Sequence, residues 1–501
     1  MKLKGQCLAI TLVLLGALSC HLPPEENPEI TVAFKGMPLT LVPHIEAEII
    51  SNSVQNNIFE GLVGFNADMR ITPLLAVSWE NPDDLTWLFK LRPGVVFHDG
   101  TPLSSNDVVY SLDRAKNHPR SAIKSSFVNI ESVTPSGGQT LRIRTRKPDP
   151  ILLNKINLAL VIPKAYLEKV GEEEFYRRPV GTGPYALESI VPGRQLILRR
   201  WDRYWGERPE MARQTIVALP PEEAIQDFLS GRVDIVAEMT PEQAREVESH
   251  APKEMAIVRR PGLALRYLGM NTTVKPLSDV RVRRAISLAV DRRQLVDKML
   301  LGYGSTSNQL VPHGVFGYHP GLPELAYDPA TARRLLAEAG FPGGVELTLV
   351  LPQLRLTLGQ EIQRQMAPAG IRLKLQALPR ETFFARVDEV PFFLLGSVNV
   401  SGDASDVFDD FIHSPGDGYG RVNGGRYFNL EADRRIEAMS SLLNPRQRLA
   451  ALQDVMALVM EDVPRVPLYV EDEIYGVAKR LSWKTRLDLM VLGKDVRQAR
   501  P

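Results

Sequence analysis

The stretch TWLFKLRPGVVFHDGTPLSSNDVVYSLDRA, residues 86–115, places strand, turn and helix signals in a fixed order. Trp87, Phe89 and Leu91 occupy alternate positions, which is the period-two pattern of a half-buried strand. The Pro-Gly pair that follows predicts a turn into a second strand over VVF, and the next Asp-Gly pair predicts another tight turn. These signals predict a compact strand–turn–strand unit that leads into a helix.

His98, Asp99 and Ser104 lie close together in this stretch, as the members of a catalytic site do. Adjacent side chains on extended backbone point to opposite faces, which is poor geometry for a base and its orienting acid. Ser104 stands three residues before Asp107, ahead of an apolar run, and this spacing predicts a capping box. We therefore interpret these residues as a turn and a helix cap, and we expect no catalytic residue here.

The chain has 501 residues, enough for more than one hydrophobic core. Its content of 44% hydrophobic and 24% charged residues is that of a globular protein. The formal net charge of +1 gives no electrostatic reason to expect nucleic acid or an anionic membrane surface as a partner.

Further segments predict strands and helices in irregular alternation. Leu141, Ile143 and Thr145 alternate with arginines, and residues 371–376 repeat this strand pattern. The predicted helices are one that Asp328 caps and that runs to Gly340, one that Asn444 caps and that ends before Pro464, and one long amphipathic helix over residues 280–302. This mixture predicts an α/β fold with mixed sheets.

The first 20 residues have the form of an export signal. Two lysines precede an apolar run over residues 8–18, and the segment LGALSC then ends at Cys20. LGALSC resembles the lipobox of bacterial lipoproteins, in which the cysteine is lipidated, although Ala17 stands where those motifs usually have leucine. An ordinary signal peptide that is cut nearby is the alternative. The only other cysteine, Cys7, lies inside the signal, so the mature chain would have no disulfide.

Several blocks in order resemble solute-binding protein family 5, the extracytoplasmic peptide- and nickel-type binding proteins of bacterial ABC importers. The first is residues 76–115, which contains the stretch quoted above. The others include RPVGTGPYAL at 178–187, RRWDRYWGERP at 199–209, YLGMNTTVKPLSDVRVRRAISLAVDR at 267–292 and MEDVPRVPLYVED at 460–472. Together they cover almost the whole chain beyond the signal.

The resemblance implies a three-lobed, cluster C (type II) periplasmic-binding-protein fold with a hinged ligand cleft. Lobe I would be discontinuous, lobe II would be inserted into it, and two extended crossovers would connect the halves. The expected bounds are 21–43, 164–262 and 477–501 for lobe I, 44–163 for lobe II and 263–476 for lobe III.

In peptide-binding relatives an acidic residue of the third lobe pairs with the α-amino group of the ligand. The corresponding loop here is VNVSGDASDVFDDFIHS, in which Asp403 matches that acid, Asp406 matches a second one and Asn399 stands near the start. An aspartate is suited to an ammonium ion in a partly dry cleft, and we favour ligand contact over the alternative that Asp403 is a turn residue. Val400 and Val407 stand where relatives have tryptophan and proline, which puts a standard peptide ligand in doubt.

The glycine-rich run at residues 413–429 lacks the lysine and the following Ser or Thr of a phosphate loop. Its arginines, Arg421 and Arg426, could bind a ligand carboxylate or could be solvated loop charges. His313 and His319 form only a weak metal signal, so a nickel chelate as ligand stays an alternative and no bound metal or cofactor is expected.

The sequence therefore predicts a monomeric, lipid-anchored receptor that captures a small polar solute, most simply a peptide, and delivers it to an ABC permease. Its only contact with the membrane would be the lipid. Two alternatives stay open: an exported hydrolase on the same scaffold, for which H-E-x-x-H and G-x-S-x-G motifs are missing, and a sensor or adhesin that is not coupled to transport.

Overall fold

The computed structural model describes residues 27–250 and 253–500. The signal segment with Cys7 and Cys20 lies outside the described residues. The strands are β1 Glu29–Phe34, β2 Val63–Phe65, β3 Ile71–Pro73, β4 Ala76–Asp83, β5 Thr86–Leu91, β6 Ile130–Pro135, β7 Thr140–Thr145, β8 Tyr185–Val191, β9 Gln195–Arg200, β10 Arg213–Ala218, β11 Ile235–Val236, β12 Met255–Met270, β13 Gly304–Thr306, β14 Val345–Pro352, β15 Ile371–Leu378, β16 Phe392–Val398, β17 Arg465–Ala478, β18 Leu481–Ser482 and β19 Arg497–Gln498.

The α-helices are α1 Ile49–Ile58, α2 Ser105–Asn117, α3 Leu152–Ile156, α4 Lys164–Arg177, α5 Pro221–Leu229, α6 Pro241–His250, α7 Val280–Leu288, α8 Arg292–Met299, α9 Pro329–Glu338, α10 Leu356–Met366, α11 Arg380–Arg386, α12 Ser405–Val407, α13 Leu430–Met439 and α14 Pro445–Asp462. A single π-helical turn, Phe408–Ile412, continues α12. None of the described helices is long and apolar enough to span a bilayer.

One mixed sheet runs through most of the described chain, in the order β15-β14-β16-β12-β17-β11-β1-β10-β9-β8, with β13 also paired to β17. Strand β1 is parallel to β10 and β11, whereas the long strands β12 and β17 pair antiparallel. The mixture of parallel and antiparallel pairs agrees with the predicted sheet type. Strands β12 and β17 are the two longest strands, and they lie side by side in the middle of the sheet.

The buried side chains form separate hydrophobic cores. The lobe I core draws on residues between 30 and 59, between 160 and 237 and between 475 and 496, and the lobe II core on residues 62–180. The lobe III core draws on residues 268–469. Helix α1 packs with the lobe I core through Val54 and Ile58. The lobe bounds given above stay predictions.

Lobe II is built on a second, antiparallel sheet, in the order β4-β5-β7-β6. Trp87, Phe89 and Leu91 of β5 are buried on one face, as the period-two pattern predicts. The VVF segment is not a strand, and its pairing is limited to an isolated bridge between Val96 and Pro102. The Asp-Gly turn that follows folds the chain back too soon for a longer ladder to form.

Helix starts follow the predicted caps. Ser104 accepts a hydrogen bond from the Asp107 N–H and the Asp107 carboxylate accepts one from the Ser104 N–H, so the capping box is present. Asp328 and Asn444 likewise cap α9 and α14 through their side chains. These three predictions are confirmed.

The single long helix predicted over residues 280–302 is wrong. The chain forms α7 and α8 instead, with a break at residues 289–291. The Asp291 side chain accepts a hydrogen bond from the Gln294 N–H at 2.9 Å and so begins a new helix. Arg292 is buried and donates to the main-chain oxygen of Pro467 at 2.7 Å, which fixes the direction of α8 against β17. An aspartate is more stable as a helix cap than inside a helix, and this preference explains why the chain breaks before α8.

Candidate functional site

A cavity of about 300 Å³ is lined by Leu160 of the lobe I core, by Ile123 of the lobe II core, and by Leu263 and Leu487 of a further core that is separate from the lobe III core given above. One wall consists of the start of α1 and the loop before it, together with residues 157–160. The C-terminal segment 487–490 closes one side, and Val398 and Val400 form the opposite wall. The walls thus come from parts of the chain that are far apart in sequence, which is typical of a ligand site between lobes.

Strand β16 ends at the cleft and carries two valines into it. Val398 is 54% exposed and Val400 is 72% exposed, while Asn399 between them is buried. This alternation is that of an extended chain, in which successive side chains point to opposite sides. The Asn399 side-chain NH₂ donates to the main-chain oxygen of Asp403 at 2.8 Å, so Asn399 holds the loop from behind.

The Asp403 carboxylate lies beneath this wall and is not part of the cavity surface. Its Oδ1 is 2.9 Å from Nη2 of Arg448 on α14, and both side chains are about 95% buried. The Ser405 N–H also donates to this oxygen at 2.9 Å. In the observed arrangement, therefore, the Asp403 carboxylate is engaged inside lobe III, and its direct contact with a ligand stays a prediction.

The other two predicted site residues lie near Asp403. Asp406 is mostly buried, and burial raises the pKa of its carboxyl above the usual range. Arg421 binds Asp410 through two hydrogen bonds of 2.8 and 2.9 Å and keeps 64% of its side chain exposed. The structure thus brings Asn399, Asp403 and Asp406 into one loop, and it places Arg421 in a surface ion pair beside that loop.

Asp409 follows Asp406 by one turn and is the most perturbed acid of this region. Burial, together with the neighbouring Asp406 carboxyl, raises the pKa of Asp409 to about 7. Its Oδ1 is buried and has no hydrogen-bond partner among the described residues. The acid is therefore held in an environment that favours the protonated form.

Three polar residues on the side of the cavity formed by α1 and the C-terminal segment had not been singled out in the sequence. Glu46 stands before α1, Asp488 stands in the C-terminal segment, and His44 has a positive φ of 75° and is buried against Leu160. No local motif marks them, because they come from opposite ends of the chain and meet only in the fold. The long-range packing of α1 against the C-terminal segment is what assembles this wall.

His98 connects the stretch quoted first to the PVGTGPY segment. Its Nε2 donates to the main-chain oxygen of Gly183 at 3.0 Å, and its Nδ1 accepts from the Gly181 N–H at 3.3 Å. Burial lowers the pKa of His98 to about 4, so the ring is neutral near pH 7. Asp99 meanwhile accepts hydrogen bonds from Thr101 within the turn. Both residues therefore have structural roles.

Glu60 joins the same region to the WDRYWG segment. Its buried carboxylate accepts hydrogen bonds from the Tyr204 hydroxyl and the Trp205 ring N–H, both at 2.7 Å, and from the Thr182 hydroxyl at 3.0 Å. Gly181 passes so close to α1 that a β-carbon there would lie 2.1 Å from the Ile58 oxygen. Sequence blocks that are far apart thus form one contact region at the junction of lobes I and II.

No group of three or more His, Cys, Asp or Glu side chains is placed to hold a metal ion within residues 27–250 and 253–500. His313 packs edge-on against the Tyr318 ring, with centroids 5.2 Å apart. The His319 main chain is bound instead to Gln309.

Residues 70–419 match the family model described as bacterial extracellular solute-binding proteins, family 5 middle. The chain belongs to this family. The glutathione-binding protein GsiB of Escherichia coli strain K12 is 27% identical over 483 residues, which cover 91% of each chain.

Solved structures show the same fold. HbpA2 from Haemophilus parasuis superposes with a TM-score of 0.87 at 21% identity, over 94% of this chain and 100% of that chain. The murein tripeptide-binding protein MppA, in its unliganded open form, gives a TM-score of 0.86 at 22% identity, over 94% and 98% of the two chains. The predicted type II periplasmic-binding-protein fold is therefore confirmed.

Membership of this family also decides whether the chain is a binding protein or an exported hydrolase. The family comprises extracytoplasmic solute-binding proteins of ABC importers, and its members are binding proteins rather than enzymes. The exported hydrolase is thereby excluded. The His, Asp and Ser side chains of residues 98–104 agree with this conclusion, since all three are engaged in turns, caps or main-chain contacts.

Proposed function

We propose that this family 5 protein is a lipid-anchored receptor that captures a small polar solute, most simply a peptide, by hinge closure and delivers it to an ABC permease. The observation that supports the proposal best is the cleft between lobes, whose walls come from separate segments. A ligand that contacts both walls stabilises the closed form by contacts that the open form cannot make. The names of GsiB and MppA, which bind glutathione and a murein tripeptide, support a peptide as ligand.

The hinge of this receptor would lie in β12 and β17. Their antiparallel register shifts between Pro261 and Leu265, so the ladder is interrupted at the point where the chain passes between lobes. Beside this point Arg260 donates to the main-chain oxygens of Ala67 and Thr485, at 2.8 and 2.9 Å. A bulged two-strand connection can bend without breaking either core, which is what closure by a hinge requires.

We further propose that the loop with Asn399, Asp403 and Asp406 forms the lobe III side of the ligand site, with Arg421 at its edge. Val400 is the part of the loop that faces the cleft, and Asp403 fixes the loop through Arg448. Direct pairing of Asp403 with a ligand amine would require the carboxylate to exchange Arg448 for the ligand on closure.

The test measures peptide affinity and the radius of gyration of the protein. Isothermal titration calorimetry with di- and tripeptides and with glutathione identifies a peptide that binds, and small-angle X-ray scattering with and without this peptide measures the radius of gyration. We expect the radius to fall on saturation. A radius that stays unchanged with a bound peptide would contradict hinge closure. Uptake of the same peptide by cells with and without the gene separates a transport receptor from a sensor or adhesin.

A further inference from the structure

The polar groups of the α1 side of the cleft have one feature in common, which is that they offer acceptors and negative charge. The residues that line the cavity include the carboxylates of Glu46 and Asp488, and among the described residues no lysine or arginine lines it. Glu46 uses one oxygen to accept hydrogen bonds from the Leu39 and Thr40 N–H groups, at 3.1 and 3.3 Å. Its other oxygen is buried and has no partner in the described part of the chain.

The second carboxylate of this wall is not neutralised by its own partner. Asp488 binds Arg486 at 2.5 Å, but the same guanidinium also binds Asp495 at 2.9 Å. One positive charge is thus shared by two carboxylates, and the group carries a net negative charge. Because Arg486 is about 96% buried, it is not available to a ligand.

The carboxamide side chains of this wall all bind the main chain through their NH₂ groups. Each uses one N–H of its NH₂ group to bind a main-chain oxygen, which leaves the amide oxygen and the second N–H available to a ligand. The recorded pairs are Asn52 to Ala47 at 3.3 Å, Gln55 to Thr40 at 3.4 Å, Asn56 to Asn52 at 2.9 Å and Asn157 to Asn154 at 2.9 Å. A ligand donor at these positions therefore finds an acceptor oxygen on each carboxamide.

His44 adds a further acceptor to the same wall. Its Nε2 donates to the Leu160 oxygen at 3.0 Å, and its Nδ1 is buried without a hydrogen-bond partner among the described residues. Burial, reinforced by the Arg114 guanidinium, lowers the pKa of His44 to about 3. The ring is therefore neutral near pH 7, and its free nitrogen carries a lone pair rather than a proton.

The N-terminus of α1 has the opposite tendency, because unpaired N–H groups at a helix start attract anions. Glu48 occupies the cap position and Glu46 stands two residues before it. These carboxylates already supply the negative charge that the helix start favours, and they repel a second anion. The facing wall, with Leu263, Val398 and Val400, offers only apolar surface.

We propose that this cleft selects solutes that carry an ammonium or guanidinium group on an apolar body, with the cation directed to the Glu46 wall, and that it rejects anionic peptides such as glutathione. The inference rests on the proposed function, since it names the ligand class of the same site. Donors on the ligand would satisfy the carboxylates, the amide oxygens and His44, whereas a ligand carboxylate would have no cationic side chain to bind.

The test is a competition within one set of tripeptides. In this set one position is Lys, Gln or Glu, the other two are Val or Leu, and the C-terminus is amidated. The purified chain is stripped by unfolding and refolding, incubated with the equimolar mixture, and its bound peptides are measured by mass spectrometry. We expect Lys peptides to be retained at least tenfold over Glu peptides, with Gln peptides between them. Equal retention, or a preference for Glu, would overturn the inference while leaving the proposed function in place.

Retention of none of these peptides would count against the proposed function itself, and the inference would fall with it. Glu46→Gln keeps an oxygen for the Leu39 and Thr40 N–H groups and removes the charge, so it should lower the Lys-to-Glu ratio at least threefold. Glu223→Gln, an exposed glutamate of α5, is the matched control and should leave the ratio unchanged. Asp488→Asn provides a second test if Glu46→Gln does not fold. A ratio that none of these variants changes would overturn the assignment of charge selection to this wall.

Discussion

The Arg448 guanidinium donates two hydrogen bonds, of 2.9 and 3.4 Å, to the Asp403 carboxylate in the interior of lobe III. Removing one member of a buried ion pair leaves the other charge unpaired, which costs about 3–5 kcal/mol. We expect Asp403→Ala to lower the free energy of unfolding by this amount in urea denaturation. We also expect it to weaken binding of an amine-bearing peptide, because the loop that carries Val400 loses its support.

Arg448→Met distinguishes support from direct contact. If Asp403 acts by holding the loop, calorimetry will show weaker binding in Arg448→Met as well as in Asp403→Ala. If the carboxylate itself meets the ligand amine, the loss of Arg448 frees it, and binding will be unchanged or tighter. The geometry of the ion pair leads us to expect the first result.

Asp409 should make stability depend on pH. Its folded-state pKa of about 7 lies above the ordinary aspartate value of 3.8, so the folded chain binds a proton more tightly than the unfolded chain. The stabilising contribution is fully present below about pH 4 and is lost as pH rises through 7. Asp409→Asn removes this loss, and we expect the variant to be more stable than the parent at pH 8 by roughly 2–4 kcal/mol, at 1.36 kcal/mol for each pKa unit.

Urea denaturation at pH 4 and pH 8 measures this effect. Asp454→Asn, an exposed position on α14, is the matched control and should change stability little at either pH. An Asp409→Asn variant that gains nothing on going from pH 4 to pH 8 would show that Asp409 is ionised in the folded protein at neutral pH.

At the scale of elements, the contact between α1 and the PVGTGPY segment depends on the absence of a side chain. A β-carbon at Gly181 would lie 2.1 Å from the Ile58 oxygen, which is main chain and cannot rotate away. We expect Gly181→Ala to lower the free energy of unfolding by about 1–3 kcal/mol, which is the usual cost of overpacking a core. The melting temperature should fall as well.

Gly36→Ala is the matched control for this substitution. A β-carbon at Gly36 has no atom within 4 Å, and its φ is not in the positive range. There the change should be neutral or raise stability by up to about 1 kcal/mol, because alanine restricts the unfolded chain. Equal effects of the two substitutions in thermal denaturation would contradict the role given to the close approach.

Local signals in the sequence predicted elements well where the deciding interaction is local. The period-two pattern of β5 and the Ser104–Asp107 box need only a few neighbouring residues, and both were correct. The break before Arg292 was missed because Asp291 fits the polar face of a helix as well as it fits a cap. Burial of Arg292 against β17 decides between the two, and that contact is long-range.

The candidate site was harder to predict for the same reason. Resemblance to a family drew attention to the Asp403 loop, and the loop does border the cleft through Val400. The partner of Asp403, however, is Arg448 on α14, and no sequence spacing predicts that these two residues meet. Glu46 and Asp488 escaped notice because no local motif marks either residue, and their common wall arises only when the C-terminal segment packs against α1.

At the scale of the whole molecule, the predicted lipid anchor would decide where the receptor works. We expect the wild-type chain, expressed in bacteria, to incorporate labelled palmitate and to enter the detergent phase of Triton X-114, and Cys20→Ser to do neither. A chain that stays in the aqueous phase in both forms would indicate an ordinary signal peptide. Cys20 lies outside the described residues, so this prediction rests on the LGALSC sequence alone.

The placement of β1 in the large sheet has a consequence for the order in which the molecule is made. Strand β1 emerges from the ribosome first, but its neighbours are β10 and β11, and β11 in turn pairs with β17 near the end of the chain. The first strand therefore waits for almost the entire polypeptide before its sheet is complete. A chain that ends before β17 lacks the strand that joins the two halves of the sheet, so it cannot form the continuous sheet on which both sides of the cleft depend.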